Sequence, residues 1–268
     1  RDAQYAVWHG YVKSLDQYRT EYAPDHVHYI DELPEVIKKL QPSSAFCLDQ
    51  HSEEQFRSHG PEISTNSEAL SEALTDARVI KTEDELDCLR KASQVNDKAY
   101  ERVIRHWKPG MYEYQAKAMF TEVQMSHGLQ QDAYNGIYAS GPNSAILHYV
   151  SNTRKTQDGE LFLIDAGFEY KGYAADFSRT FPVNGRFTSD QAAVYDAGLT
   201  AQKQVIEAIR PGVRMEDLHM MAARTMMEGL LEMGIVKGSL DDLMEANIFA
   251  LFFPHGLGHF LGLETHDV

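Results

Sequence analysis

The sequence predicts an α+β protein, with a pseudo-two-fold domain of helices packed on a shared sheet and a smaller α/β region before it. Three observations carry this. A strong helix start stands at Thr82, where Thr82 and Glu85 have the capping-box spacing and Leu86, Leu89, Ala92 and Val95 then recur at helical intervals. A helix closed by Pro-Gly occurs twice: "AYERVIRHWKPG" and "AQKQVIEAIRPG" align without a gap, pairing Ala99 with Ala201, Val103 with Val205, Ile104 with Ile206 and Gly110 with Gly212. Short aromatic and β-branched segments separated by turn residues lie between the two copies.

Taken in order, residues 1–80 form the smaller α/β domain. It contains an amphipathic helix at "DELPEVIKKL", a short buried strand at "SSAFCLDQ" and a loop at "GPEISTNSEAL". Residues 81–268 form the second domain. Each repeat helix leads into another helical stretch, "YEYQAKAMFTEVQMSHG" and "MEDLHMMAARTMMEGLLEMG". Strands are expected at "YNGIYAS", "GPNSAILHYV", "LFLIDAGF" and "YAADFSRTFPV". The second copy reaches only "IFALFFPHGLGHFLGLETHDV", so its strands are expected to be unfinished. The methionines of "MMAARTMMEGLLEM" sit at helical spacing and read as core packing.

Composition excludes several classes of function. A net charge of −15 opposes binding to nucleic acid or an anionic membrane, since either needs a basic surface. No apolar run approaches the roughly 20 residues of a membrane span. Two cysteines, Cys47 and Cys88, imply a reducing, cytoplasmic compartment and no disulfide framework. No G-x-S-x-G elbow is present, neither cysteine has an adjacent base, and "SGPNS" lacks the lysine and glycine spacing of a phosphate loop. His106 and His127 read as structural.

Chemistry concentrates in two places. Asp165 and Asp176 lie on two strands around a turn at Glu169-Tyr170-Lys171-Gly172. A two-residue loop at Tyr170-Lys171 would oppose them directly, and a shift of one residue would leave them diagonal on the same face. Like charges facing each other in apolar surroundings need a shared proton or a cation, and the flanking "FLI" favours burial and hence a cation. The second place is the run of His255, His259 and His266 among glycines. His255 and His259 have helical i, i+4 spacing, but Gly256, Gly258 and Gly262 predict an extended segment. Asp, Asp and His together give mixed oxygen and nitrogen ligation suited to Mn, Co, Zn or Fe(II).

These residues carry a resemblance. "LFLIDAGFEYKGYAADFSRTFPVNGRFT", "FFPHGLGHFLGLETHDV" and "ASGPNSAILHY" closely resemble the pita-bread metallopeptidases, the creatinase, aminopeptidase P and prolidase family. "MGIVKGSLDDLMEANIFALFFPHGLGHFLG" looks most like the eukaryotic Xaa-Pro dipeptidase (prolidase) branch. The resemblance implies Asp165, Asp176 and His259 as metal ligands and His255 and His266 as catalytic histidines, the latter bonding the scissile carbonyl. It implies His148 as the contact for the substrate's carboxylate end, with Tyr134 and Ile137 lining the pocket. Thr265 stands where the family usually has a branched aliphatic residue.

The implied activity is hydrolysis of dipeptides with a C-terminal proline, using two divalent ions, manganese first and cobalt or zinc as alternatives. A homodimer is implied too, with Trp8 reaching toward a partner's pocket. Two glutamates and an arginine that the family places after "HDV" are not in the sequence, so the chain is expected to be truncated at both ends, to bind metal weakly and to catalyse poorly. Aminopeptidase P activity is the near alternative, methionine aminopeptidase-like specificity a more distant one, and a non-catalytic interaction module on the same fold the alternative of another class.

Overall fold

The structure, a computed structural model, describes residues 11, 13–42, 44, 45, 54, 57, 58, 64, 65 and 67–268. Trp8, Cys47 and most of the strand expected at 43–50 lie outside them. The chain divides into two units, Arg1–Val79 and Ile80–Val268.

In the first unit, α1 (Leu15–Tyr22) starts at a Ser14/Gln17 capping box and α2 (Leu33–Leu40) buries Ile37. Strands β1 (Ser44–Ala45) and β2 (Ser64–Thr65) pair in parallel. Helix α3 (Ser67–Val79) begins inside the stretch expected as a loop. From Ser67 onward the run Glu-Ala-Leu-Ser-Glu-Ala-Leu is rich in strong helix formers, which outweighs the turn residues before it.

The second unit opens with α4 (Glu83–His106), where the Thr82 hydroxyl accepts from the Glu85 amide and Glu85 Oε2 accepts from the Thr82 amide at 2.7 Å. Val95, Ala99 and Val103 of its buried stripe pack with Ala116, Phe120 and Val123 of α5 (Glu113–Ser126) over one face of a sheet. That sheet is antiparallel, in the order β3 (Ile137–Ser140), β4 (Leu161–Ala166) and β7 (Phe177–Pro182). Phe162, fully buried, stacks flat on Trp107 with ring centroids 4.5 Å apart. Burying such a ring contributes about 2–3 kcal/mol. A short hairpin, β5 (Glu169–Tyr170) and β6 (Tyr173–Ala174), extends the β4–β7 ribbon.

Helices α6 (Ser189–Ala208) and α7 (Met215–Glu232) form a second pair around their own core. Both copies of the repeat bury the same positions, Ala99 and Val103 in one and Ala201 and Val205 in the other, while Ile104 and Ile206 face out. Both turns need glycine at the same place: Gly110 has φ +86° and Gly212 φ +89°. Met227 is fully buried as expected, but Met220 and Met221 on the outer side of α7 are exposed. Helix α8 (Leu240–Glu245) and a 3₁₀ turn (Ile248–Leu251) follow.

Three expectations need correction. The β-ribbon turns at Lys171-Gly172, one residue later than a Tyr170-Lys171 loop. Both central residues have positive φ, +53° and +87°, as a type I′ turn requires, and glycine at the second is what favours this register. "GPNSAILHYV" is no strand: Pro142 and a Gly141 at φ +51° start a 3₁₀ turn (Gly141–Ala145) that continues as irregular chain. Residues 252–268 are also irregular, apart from a single antiparallel bridge between Phe260 and Asp267.

Candidate metal centre

In the observed register Asp165 opposes Ser178, so Asp176, two residues short of Ser178, lies diagonal to Asp165 on the same face. Two devices make this possible. At Gly167 a Cβ would stand 1.7 Å from the Ala175 carbonyl oxygen, so only glycine lets the two strands close here. Above it, α4 holds the backbone beside both aspartates. Asn96 Nδ2 donates to the Ala166 carbonyl at 3.0 Å, and the Tyr100 hydroxyl is placed to donate to the Ile164 carbonyl at 3.1 Å and to that of Phe177. Burial, with the nearby Asp165 charge, pushes the Tyr100 phenol far above its ordinary pKa and keeps it a donor.

Tyr134 joins the two carboxylates. Its hydroxyl lies 2.6 Å from Asp165 Oδ1 and 2.9 Å from Asp176 Oδ1. Burial first, then the Asp165 charge and hydrogen bond and those of Asp176, push this phenol far up and hold it protonated. One hydroxyl has one proton, so only one of the two carboxylates accepts it at a time.

The histidines meet Asp176 from the other side. His259 Nε2 is 3.1 Å from Asp176 Oδ2, and the His259 and His266 rings are 4.0 Å apart between centroids. Ligand atoms of Asp176, His259 and His266 all fall within 4.8 Å of one another. His259 Nδ1 is 2.9 Å from the Phe260 carbonyl oxygen, to which it can donate, and its other ring nitrogen, Nε2, faces Asp176. A lone pair facing a carboxylate is unfavourable unless a proton or a cation lies between. Two ligands on one ion, each about 2.1 Å from it, stand about 3 to 3.4 Å apart, so the observed separation fits a cation. The donor set, carboxylate plus two imidazoles, suits a borderline divalent metal.

The expected residues are therefore brought together unevenly. Asp176, His259 and His266 converge, and Asp165 is joined to them through Tyr134. Tyr134, Ile137, His148, Asp165, Asp176 and His266 line one cleft of about 420 Å³, together with Val150 and Thr265. Thr265 uses its hydroxyl to donate to the Ala133 carbonyl at 3.2 Å. His255 does not line this cleft: it is exposed, its Nδ1 meets the Gly256 carbonyl at 2.8 Å, and its ring packs edge-on against Phe253. His106 and His127 cap nearby carbonyls of Arg102 and Val123.

Glu113 was not singled out from sequence. It is fully buried and accepts from the Ser140 amide and hydroxyl, the Tyr149 hydroxyl and the Arg154 amide, all between 2.7 and 2.9 Å. It thereby ties the 141–154 segment that carries His148 to the first turn of α5. An acidic residue at a helix start reads as dipole compensation, so nothing local marks this one as a hub. Asn96 did leave a signal, as the polar residue in the apolar stripe of α4.

Residues 87–268 match Metallopeptidase family M24, and the chain belongs to that family. It is 38% identical over 279 residues to the Homo sapiens Xaa-Pro dipeptidase, covering 99% of this chain and 56% of the relative. It thus spans a little over half the length of the curated relatives it matches. An Escherichia coli aminopeptidase P variant solved with substrate superposes with a TM-score of 0.95 at 32% identity, covering 100% of this chain and 64% of that one. Proline aminopeptidase P II from Yersinia pestis superposes with a TM-score of 0.94, also at 32% identity, covering 100% and 65%. The fold is the α+β pita-bread fold of these enzymes.

Proposed function

We propose that the protein is an Xaa-Pro peptidase, and specifically a dipeptidase that cleaves before a C-terminal proline. The observation that supports it most is the convergence of Asp176, His259 and His266, with Asp165 joined through Tyr134, beside a cleft that Asp165, Asp176 and His266 line. Residues 81–268 would be the catalytic domain, and 1–80 the smaller domain of the pita-bread peptidases. Asp165, Asp176 and His259 would hold divalent ions, two of them in the whole enzyme, with manganese preferred over cobalt or zinc. Such ions supply an acidified water and polarise a carbonyl near neutral pH.

The chain's own residues do the rest. His266 would donate a hydrogen bond to the scissile carbonyl oxygen as negative charge grows on it. His148, which also lines the cleft, would offer a hydrogen-bond donor to the substrate carboxylate. Ile137 gives the proline ring an apolar wall. Proline nitrogen in a tertiary amide has no N–H and must be protonated to leave, a step that His266, which lines the cleft, would serve. The protein would act as a cytoplasmic homodimer.

Aminopeptidase P activity is the second reading, favoured by the superposition on those enzymes. Assay of the whole enzyme with Mn²⁺ against Xaa-Pro dipeptides and Xaa-Pro-Xaa tripeptides separates the two. We expect dipeptide cleavage that a chelator abolishes. Tripeptide cleavage alone would establish the second reading, and no bound metal with no hydrolysis of either substrate would leave only an interaction module.

A further inference from the structure

The turn that carries His266 is anchored from the far end of the chain. Lys81, just before the Thr82 cap of α4, places Nζ 2.8 Å from Asp267 Oδ2, and the two side chains are only 10% and 1% exposed. A buried ion pair gives back most of its Coulomb energy in desolvation, and an apolar pair of the same shape is often as stable. Net stability is therefore a poor account of why a lysine and an aspartate meet here. A fixed position is a better one.

The location shows what is fixed. Asp267 follows His266 directly, and its amide donates to the Phe260 carbonyl at 3.1 Å, the residue that follows His259. The spacing of the two imidazoles is thus set by the 260–267 loop. Gly262 leaves room for the pair: a Cβ there would lie 1.8 Å from Asp267 Oδ2 and 3.1 Å from Lys81 Cε. The Gly262 carbonyl also accepts from the Ala174 amide at 2.9 Å, two residues before Asp176. Beside it, Tyr173 donates to Glu85 Oε1 at 3.0 Å. The N-terminal end of α4 therefore grips both the strand leading to Asp176 and the loop bearing the histidines.

We propose that Lys81 and Asp267, seated over Gly262, are positioning residues that hold His266 and His259 in register with Asp176. This rests on the reading of Asp176 and His259 as cation ligands with His266 beside them. The test measures Mn²⁺ affinity of the full chain from the EPR signal of free Mn²⁺, alongside denaturant unfolding. In the double variant Lys81→Met/Asp267→Leu an apolar pair restores stability, yet affinity should fall by about tenfold or more, as when support of metal ligands is removed. Gly262→Ala, which keeps both charges but displaces the carboxylate, should weaken binding likewise. Affinity within about twofold of the unmodified chain in either folded variant would overturn the proposal. An unmodified chain that binds no Mn²⁺ would instead remove the cation site itself, a result that needs no variant and is distinct from the first.

Discussion

At the scale of single residues, the site turns on a shortage of protons. Tyr134 lies within hydrogen-bond distance of two carboxylates and can donate to one, the shorter contact favouring Asp165. Asp176 is then served by His259 or by a cation. Tyr134→Phe removes a hydrogen bond to a charged acceptor in a half-buried site, so metal-free protein should lose about 2 kcal/mol of unfolding free energy. Urea denaturation in the presence of a chelator measures it, and an unchanged midpoint would mean that the hydroxyl bridge carries no stabilisation. The two aspartates and the three histidines stood out in the sequence because acidic and imidazole groups beside apolar and glycine residues have few structural uses. Tyr134 had no such mark and came only through family resemblance.

At the scale of elements, the β4–β7 ribbon shows how one turn sets a site. A glycine at φ +87° moved the turn by one residue and changed the two aspartates from opposed to diagonal. Alternation survives that shift because it keeps both side chains on one face. The tie between α5 and the 141–154 segment belongs to this scale too. Glu113→Ala would leave five donors without their acceptor, Asn143 Nδ2 at 3.3 Å being the fifth, and we expect a loss of about 3 kcal/mol or more. Glu113→Gln, which retains an acceptor oxygen, should lose less. Hydrogen exchange at the Ser140 and Arg154 amides would report it. Comparable protection in Glu113→Ala and the parent protein would contradict the role.

At the scale of the whole molecule, the proposed cation site is a junction between segments distant in the chain: the ribbon with Asp165 and Asp176, and the loop with His259 and His266. A cation that binds only when these segments are together stabilises the folded state by mass action. Mn²⁺ at a hundredfold excess over its dissociation constant should add about 2.7 kcal/mol to unfolding. Thermal unfolding with metal, with chelator, and with Asp176→Ala measures this. No shift in the parent protein would remove the site, and an equal shift in the variant would place the metal elsewhere.

Capping boxes, helical periodicity, the duplicated Pro-Gly helix and the strand alternation were all determined by the sequence itself, because each depends on residues within a few positions of one another. The start of α4 at Thr82 and the shared face of the two aspartates are of this kind. The register of the ribbon, the irregular paths of 141–154 and 252–268, and the exclusion of His255 from the cleft were decided only in three dimensions. So was the meeting of Lys81 with Asp267, 186 residues apart. Such contacts depend on where packed elements leave space and unpaired charge, and nothing in the neighbouring sequence encodes that distance.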